Sequence, residues 1–257
     1  MVGALLLRGM LVGVLAGLLG FGFLKLAGEP AVDRAIAFET QLDKAKAMAE
    51  HHPAEEETPL VSREVQAGIG LFTGVTVYST AFGGLFALAF AIAYGRIGTL
   101  SPRSVAVVLA ALGFVAVHLV PSLKYPPNPP SVGEPHTIGL RTALYFSFIT
   151  VSLVAMIAAG MLRSRLQTRL GAWNACLVAG GAYIVLMAGV GLALPRIDEV
   201  PAQFPADVLW QFRVASLGAQ VILWTTLGLV FGALTARAAA VSRADRRSSP
   251  SGAARAQ

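Results

Sequence analysis

Six long apolar runs separated by polar segments dominate the pattern of hydrophobic and polar positions along this chain. Each run has about the 20 residues that a helix needs to cross the hydrocarbon core of a bilayer. The runs are Gly9–Ala27, Ala67–Tyr94, Ser104–Leu123, Thr142–Leu162, Gly171–Leu194 and Val214–Ala236. Continuous apolar runs favour helices, because a membrane β-barrel requires alternation. The pattern therefore predicts an all-α integral membrane protein with six transmembrane helices.

The polar segments differ in character. Residues 28–66, 124–141 and 195–213 carry most of the acids and prolines, whereas the segments Arg96–Arg103 and Arg163–Leu170 are short and basic. Short basic loops stay on the cytoplasmic side of a membrane. We therefore expect three outer loops, two inner turns and both termini in the cytoplasm. Three helical hairpins are one arrangement that fits this order.

Composition and charge sorting agree with a membrane protein. The chain is 55% hydrophobic and 13% charged, with a mean hydropathy of +0.67, whereas a soluble domain is about a quarter charged. Eleven of the 20 basic residues fall in the predicted inner segments, and 13 of the 14 acids fall in the outer ones. The net charge of +6 thus indicates a lipid bilayer as the partner and not nucleic acid. The basic residues 241–257 are predicted to form a disordered cytoplasmic tail.

Local signals predict how the helices begin and pack. Glu29 and Pro30 should end the first helix, and a rough helical stripe predicts a surface helix over Val32–Glu50 in the first outer loop. The expected N-caps of the second, third and fourth spans are Ser62, Ser101 (followed by Pro102) and Thr137. Gly9, Gly13 and Gly17 form a stripe that would let a neighbouring helix approach closely, unless glycine is simply common in this membrane helix.

The most distinctive segment runs from Leu119 to Thr137 and contains six prolines between positions 121 and 135. Because proline fixes φ and lacks a backbone donor, we expect neither a helix nor a central strand to pass through it. Consecutive prolines favour a stiff extended path. A short rigid outer loop would then present Lys124, Asn128, Glu134 and His136.

An arginine follows each predicted outer loop at the start of the returning helix: Arg63, Arg141 and Arg213. We expect these side chains, together with Asn128, to brace the loops. Arg141 should pair with Glu134 or another outer acid, and Arg63 and Arg213 with acids of their own loops. The alternative is that each arginine only reaches the membrane edge.

The proline-rich segment also carries a resemblance to a known family. The residues concerned are Leu119-Val120-Pro121, Leu123-Lys124-Tyr125-Pro126, Asn128-Pro129-Pro130, Val132-Gly133, Pro135, Thr137-Ile138, Arg141-Thr142 and Tyr145, with Gly28-Glu29-Pro30 and Leu209-Trp210 elsewhere. This pattern resembles the CbtA family of predicted cobalt transporter subunits. The resemblance implies a permease subunit linked to cobalamin metabolism, cobalt(II) as the transported ion, no permanently bound cofactor and a small single-span CbtB-like partner subunit. A homo-oligomer is also compatible with it.

Cobalt(II) accepts imidazole and carboxylate ligands, and the chain offers three groups of candidates. Glu134 and His136 lie two residues apart on the proline-rich loop, which we expect to act as a rigid lid. His118 lies inside the third span, where an ionisable group marks a functional site or bonds to a neighbouring helix. His51 and His52 adjoin a glutamate-rich tract, which would concentrate cations or merely be solvated.

No Asp or Glu occurs inside the predicted spans, so an ion path would be lined by neutral polar groups: Thr73, Thr76, Ser79, Thr80 and Asn174. The sequence also lacks the HExxH, GxSxG and Walker patterns, and we therefore expect no enzyme and no ATPase. Two classes of function remain. One is a divalent-metal permease subunit, and the other is a non-transporting scaffold or accessory subunit whose outer loops bind a partner.

Overall fold

The computed structural model describes residues 2–50, 61–96, 98–130 and 132–248, and within these residues the protein is helical and has no strand. The helices are α1 (Val2–Ala27), α2 (Glu29–Glu50), α3 (Arg63–Ala93), α4 (Pro102–Lys124), α5 (Ile138–Ala193) and α6, which runs through Ala206–Thr226, Leu227–Phe231 and Gly232–Ser248. All except α2 are long and apolar enough to cross a membrane. The prediction of an all-α membrane protein is confirmed.

Helix α5 contains the fourth and fifth predicted spans. At 56 residues a straight helix would be about 84 Å long, far more than the roughly 30 Å of hydrocarbon. Its backbone is broken at Gly171, where φ is +76°, and the two arms fold back on each other. The hydroxyls of Ser152 and Tyr183 are 2.8 Å apart, and Phe148 packs with Met187. The two arms therefore form a helical hairpin.

Several predicted boundaries are wrong by a few residues. The inner turn expected at Arg163–Leu170 is helical, and the chain reverses at Gly171, because glycine adopts a positive φ without steric cost. Glu29 and Pro30 begin α2 instead of only ending α1, since proline fits the first helical turn, where no backbone N–H is needed. The tail predicted as disordered from residue 241 is helical to Ser248, and residues 249–257 lie outside the described part.

The expected N-caps have mixed outcomes. The Ser62 hydroxyl accepts a hydrogen bond from the Val65 N–H, and the Ser101 hydroxyl accepts one from the Ser104 N–H. Thr137 stands at the N-cap position of α5 but makes no capping bond. Its hydroxyl donates to the Glu134 carbonyl oxygen at 2.9 Å. The prediction from the local sequence is therefore correct for the position of the helix start. It is wrong for the hydrogen bond, because the Thr137 hydroxyl donates to a loop carbonyl and accepts no N–H of the helix.

The chain divides into two compact units, of which the first comprises Met1–Phe21, Phe72–Ala111 and Ile222–Gln257. Its core is built on close helix approaches. The glycine stripe of α1 lies against α3, where a Cβ on Gly17 would come within 2.8 Å of the Thr76 Cα. The Phe90 and Phe231 rings pack edge to face at 5.1 Å. Small residues on α1 therefore serve helix packing, as the stripe predicts.

The second unit comprises Gly22–Leu71 and Leu112–Val221. One hydrophobic cluster lies within the α5 hairpin and includes Phe148, Ala155, Tyr183 and Met187. Another joins the loops, because Ala35 of α2 and Val208 of α6 pack with Val132 and Phe204. This second cluster holds α2, the proline-rich loop and the start of α6 together.

Three π-helical segments interrupt α3, α4 and α6: Gln66–Gly70, Phe114–Leu119 and Leu227–Phe231. The π-helical segment in α4 lies just before the first proline of the proline-rich segment. Pro121 lies inside α4, so the prediction that no helix passes it is wrong, and the loop begins only at Tyr125. Proline clashes with the carbonyl of a regular preceding turn, and here the wider π turn lies directly before it.

A candidate ligand cavity and the loop network beside it

A cavity of about 480 Å³ lies within the second unit. It is lined by helices α4, α5 and α6 and by the proline-rich loop, and six of its polar lining residues are His118, Asn128, Arg141, Tyr145, Ser216 and Gln220. Ligand sites typically occupy 300–1,000 Å³ and combine apolar walls with a few convergent polar groups. The cavity has this character and is the candidate functional site.

His118 is the residue that the local backbone singles out. It lies in the π-helical segment of α4, is only 7% exposed and lines the cavity. The Phe114 ring lies 5.9 Å from its imidazole, one turn earlier. A π turn inserts an extra residue and changes the direction of the following side chains, which is why such turns recur at functional sites. An imidazole in this position offers one N–H donor and one lone pair.

Arg141 lies between the cavity and the loops. Its Nε is 3.5 Å from the Glu199 carboxylate, and its Nη2 donates to the Glu134 carbonyl oxygen at 3.3 Å. Gly133 has a φ of +120°, and a Cβ there would come within 2.6 Å of the Arg141 guanidinium carbon. The positive φ therefore favours glycine at position 133, and a larger residue there would also displace the Arg141 side chain.

Glu199 is the acceptor at the centre of this arrangement. Its Oε2 accepts the Glu134 backbone N–H at 2.8 Å. The Thr137 hydroxyl, then that N–H and then the charge of Arg141 hold the pKa of the Glu199 carboxyl below its ordinary value. Because all three favour the ionised form, Glu199 is a carboxylate that ties the loop after α5 to the proline-rich loop.

Arg213 has a different hydrogen-bond partner from the one that the sequence predicts. It was expected to pair with an acid of its own loop, but its Nη2 donates to the Asn128 Oδ1 at 2.9 Å and its Nε to the Pro127 carbonyl oxygen at 3.4 Å. The proline-rich loop supplies these acceptors, because a residue such as proline keeps its carbonyl while lacking the N–H. Asn128 thereby contacts an arginine from a segment 85 residues away.

The same loop is fixed at its start. The Lys124 ammonium donates to the Leu194 carbonyl oxygen at 2.9 Å, and the Tyr125 hydroxyl donates to the Pro195 carbonyl oxygen at 3.1 Å. These carbonyls lie at the end of α5, where a helix leaves acceptors unpaired. Lys124 therefore caps α5 at Leu194, and Tyr125 anchors the loop to the residue that follows the cap.

Arg63 pairs as the sequence predicts, with Glu29 and Asp33 of its own loop. A further arginine, Arg34, pairs with Asp207 at 3.0 Å and so connects α2 to the first turn of α6. Acids that would otherwise give this end a negative field are thus partly neutralised by arginine. The bracing role of these arginines remains a prediction.

The candidate metal ligands are not gathered into one site. His118 lines the cavity, whereas Glu134 and His136 are exposed and do not line it. His51 and His52 lie outside the described residues. Among the residues that the structure describes, no cluster of three or more His, Cys, Asp or Glu side chains has metal-binding geometry. Metal binding by these five residues therefore stays a prediction.

The residues predicted to line an ion path do not line the cavity; they are Thr73, Thr76, Ser79, Thr80 and Asn174. Ser79 is buried where α3 meets the glycine stripe of α1, and the Thr80 hydroxyl donates to the Thr76 carbonyl oxygen at 2.7 Å. Asn174 is exposed and donates to the Leu170 carbonyl oxygen. Their role in a path is a prediction that no contact tests.

Sequence reasoning missed Glu199 and the polar lining contributed by Tyr145, Ser216 and Gln220. A signal was present for the last two. Ser216 and Gln220 are four residues apart in an otherwise apolar stretch, which places both on one helix face. Arg141 and Tyr145 have the same spacing on α5. The sequence contains no comparable signal for Glu199, which lies in an irregular loop.

The apolar helices define the class of protein, which is a polytopic α-helical membrane protein. The partly open cavity is its candidate site. The family model described as "Probable cobalt transporter subunit (CbtA)" matches residues 2–236, nearly the whole chain, and the chain belongs to this family. The resemblance noted from the proline-rich segment is thereby confirmed. No curated protein matches the chain, and no solved structure does.

Proposed function

We propose that this chain is the permease subunit of a cobalt importer in the plasma membrane, and that the cavity lined by His118 is part of the path. Family membership supports a cobalt transporter subunit. The observation that carries the site is the buried imidazole on a π-helical turn, because imidazole is a good cobalt(II) ligand. Both termini lie in the cytoplasm in this proposal, and the outer loops surround the entrance.

A partner completes the transporter in this proposal. The family description names a subunit, and a small single-span protein of the CbtB type is the partner we infer, with a link to cobalamin synthesis. The chain has no ATP-binding pattern of its own. A divalent ion gains about 4.6 kcal/mol from a potential of 100 mV, which suffices for inward movement without ATP.

The test is uptake of radiolabelled cobalt(II) by cells that express the chain with and without the small partner. We expect uptake above that of empty-vector cells, and we expect His118→Gln to reduce it by about tenfold or more, as for loss of a metal ligand. His136→Gln is the comparison variant for the competing loop site, because His136 is exposed and lies outside the cavity lining. Membrane levels of each variant are measured by immunoblot.

The same assay examines the lid hypothesis. If Glu134→Gln and His136→Gln abolish uptake while His118→Gln transports normally, the metal is captured on the exposed loop and the cavity is not on the path. If the unmodified chain raises cobalt uptake above that of empty-vector cells neither alone nor with the partner, the chain is a non-transporting accessory subunit. The network of arginine contacts among the outer loops favours this second function, since it presents a fixed surface to a partner.

A further inference from the structure

The cavity is unusual for a site meant to hold a bare cation. Among its described lining residues, Arg141 carries the full positive charge and none is Asp or Glu. Divalent cations in proteins are held by carboxylates or by several imidazoles. A bare ion beside Arg141 would instead experience like-charge repulsion. The Glu199 carboxylate, 3.5 Å from the Arg141 Nε, reduces this repulsion but does not line the cavity and so offers no ligand to the ion.

The guanidinium group of Arg141 has N–H donors without good acceptors, and an anion could supply these acceptors. Its Nε is buried and makes no hydrogen bond among the described residues, because the Glu199 carboxylate, at 3.5 Å, is too distant. The Nη2 contact with the Glu134 carbonyl oxygen, at 3.3 Å, is also long. An arginine matches carboxylate or phosphate oxygens through two parallel hydrogen bonds. The side chain is therefore under-satisfied at the edge of a cavity.

Neutral polar groups in the cavity lining also favour an anion over a bare cation. Asn128 uses its Oδ1 to accept from Arg213, so the side of this amide that remains for other contacts is its NH₂ donor. Ser216 lies in the same lining, and its hydroxyl can also donate. Donors of this kind stabilise anionic oxygens, whereas they offer few lone pairs to a metal.

The size of the cavity gives an independent argument. At roughly 30 Å³ per water, a cation with six waters occupies about 180 Å³. The cavity measures about 480 Å³, which exceeds that requirement more than twofold. A small organic anion, alone or wrapped around a metal ion, fills such a volume.

We propose that the cavity binds a small carboxylate-bearing anion, so that cobalt enters it as an anionic chelate and not as the bare or hydrated cation. Arg141 holds the carboxylate, and the imidazole of His118 faces the same ligand. This inference rests on the proposed function, because it specifies the form in which the cargo is recognised.

The test uses the full-length chain purified in detergent and titrated by calorimetry with cobalt(II) chloride, sodium citrate and equimolar cobalt–citrate. Citrate and cobalt–citrate should bind at least about tenfold more tightly than cobalt chloride, as charge-assisted contacts to arginine predict. Equal affinity for citrate and cobalt–citrate identifies the free anion as the ligand, whereas tighter binding of cobalt–citrate identifies the chelate. Either result supports an anion site.

Variants locate the site. Arg141→Gln should weaken citrate and cobalt–citrate binding by about tenfold or more. Arg34→Gln is the matched control, because Arg34 belongs to the same unit and ion-pairs with Asp207 without lining the cavity. Since Arg141→Gln also disturbs the loops, Gln220→Glu provides a second measurement. It adds a carboxylate at nearly constant size, and it should weaken citrate binding while improving binding of cobalt chloride.

Three results would overturn the inference: binding of cobalt chloride alone, no binding of any probe, or unchanged anion affinity in both Arg141→Gln and Gln220→Glu. The binding measurements and the uptake assay distinguish failure of this inference from failure of the proposed function. Cobalt uptake without anion binding contradicts this inference and leaves the proposed function standing. Anion binding in a chain that moves no cobalt contradicts the proposed transport and leaves the anion site in place.

Discussion

Arg141 and Glu199 approach to 3.5 Å and join the first turn of α5 to the loop that follows this helix. The side chains are 29% and 15% exposed, so both are largely withdrawn from water. Glu199 also accepts the Glu134 N–H at 2.8 Å, which makes it the point where the two loops meet. Removing either charge leaves the other in a partly desolvated position, which is costly.

The first prediction concerns the pH dependence of this contact. The pKa of Glu199 is lowered from 4.5 by the Thr137 side chain, the Glu134 N–H and Arg141. Its contribution to stability is therefore fully present above pH 4.5 and is lost as pH falls through the lowered folded-state pKa. We expect Glu199→Gln to lower the Tm in detergent at pH 7 and the difference from the unmodified chain to shrink toward pH 3.

The matched control is Asp207→Asn, which removes an exposed carboxylate at the start of α6 that pairs with Arg34. Exposed pairs contribute little, so this variant should lower the Tm less at pH 7. A Tm difference for Glu199→Gln that is the same at pH 7 and pH 3 would contradict the assigned role of its charge.

The second prediction concerns Gly133. Gly133→Ala should destabilise the protein by about 1–3 kcal/mol, because a non-glycine residue at positive φ is strained and its Cβ would meet the Arg141 guanidinium. Gly139→Ala is the control, since no atom of the protein lies within 4 Å of its Cβ position and it stands in helix α5. Thermal unfolding in detergent compares the two, and an equal effect of both would contradict the strain assigned to the positive φ of Gly133 as well as the Arg141 contact.

The third prediction concerns the α5 hairpin. The hydroxyls of Ser152 and Tyr183 share a buried hydrogen bond of 2.8 Å between the two arms. Comparable bonds between membrane helices contribute about 0.6 kcal/mol and up to about 1.7 kcal/mol. A double-mutant cycle with Ser152→Ala and Tyr183→Phe should return a coupling energy in this range. Strictly additive effects would mean that the arms are held together by packing alone.

The fourth prediction is the topology. In a chain whose exposed Cys176 is replaced by alanine, a membrane-impermeant thiol reagent should label Pro130→Cys in intact cells and should label Thr168→Cys only after permeabilisation. Both positions are exposed, one in the proline-rich loop and one near the break at Gly171. Labelling in the opposite pattern would reverse the orientation inferred from the basic segments.

Local chemistry explains which predictions hold. The apolar runs identified the spanning helices because hydropathy and the need to satisfy the backbone in lipid act on each segment separately. Ser62 and Ser101 were found as caps because a cap contacts a group only three residues away. Arg63 could be matched with Glu29 because both flank one loop. The proline-rich segment was identified, but its start was misplaced by the helical Pro121.

The sequence by itself therefore determined the membrane class, the helices and the family, since each follows from short-range patterns or from matching residues. Only the tertiary structure decided that Arg213 contacts Asn128, 85 residues away, and that Glu199 lies beside Arg141. The same holds for the cavity, where His118, Arg141 and Gln220 come from three helices. Contacts of this kind depend on which segments pack together, and packing is set by the whole chain, whereas each arginine alone had several acceptable partners.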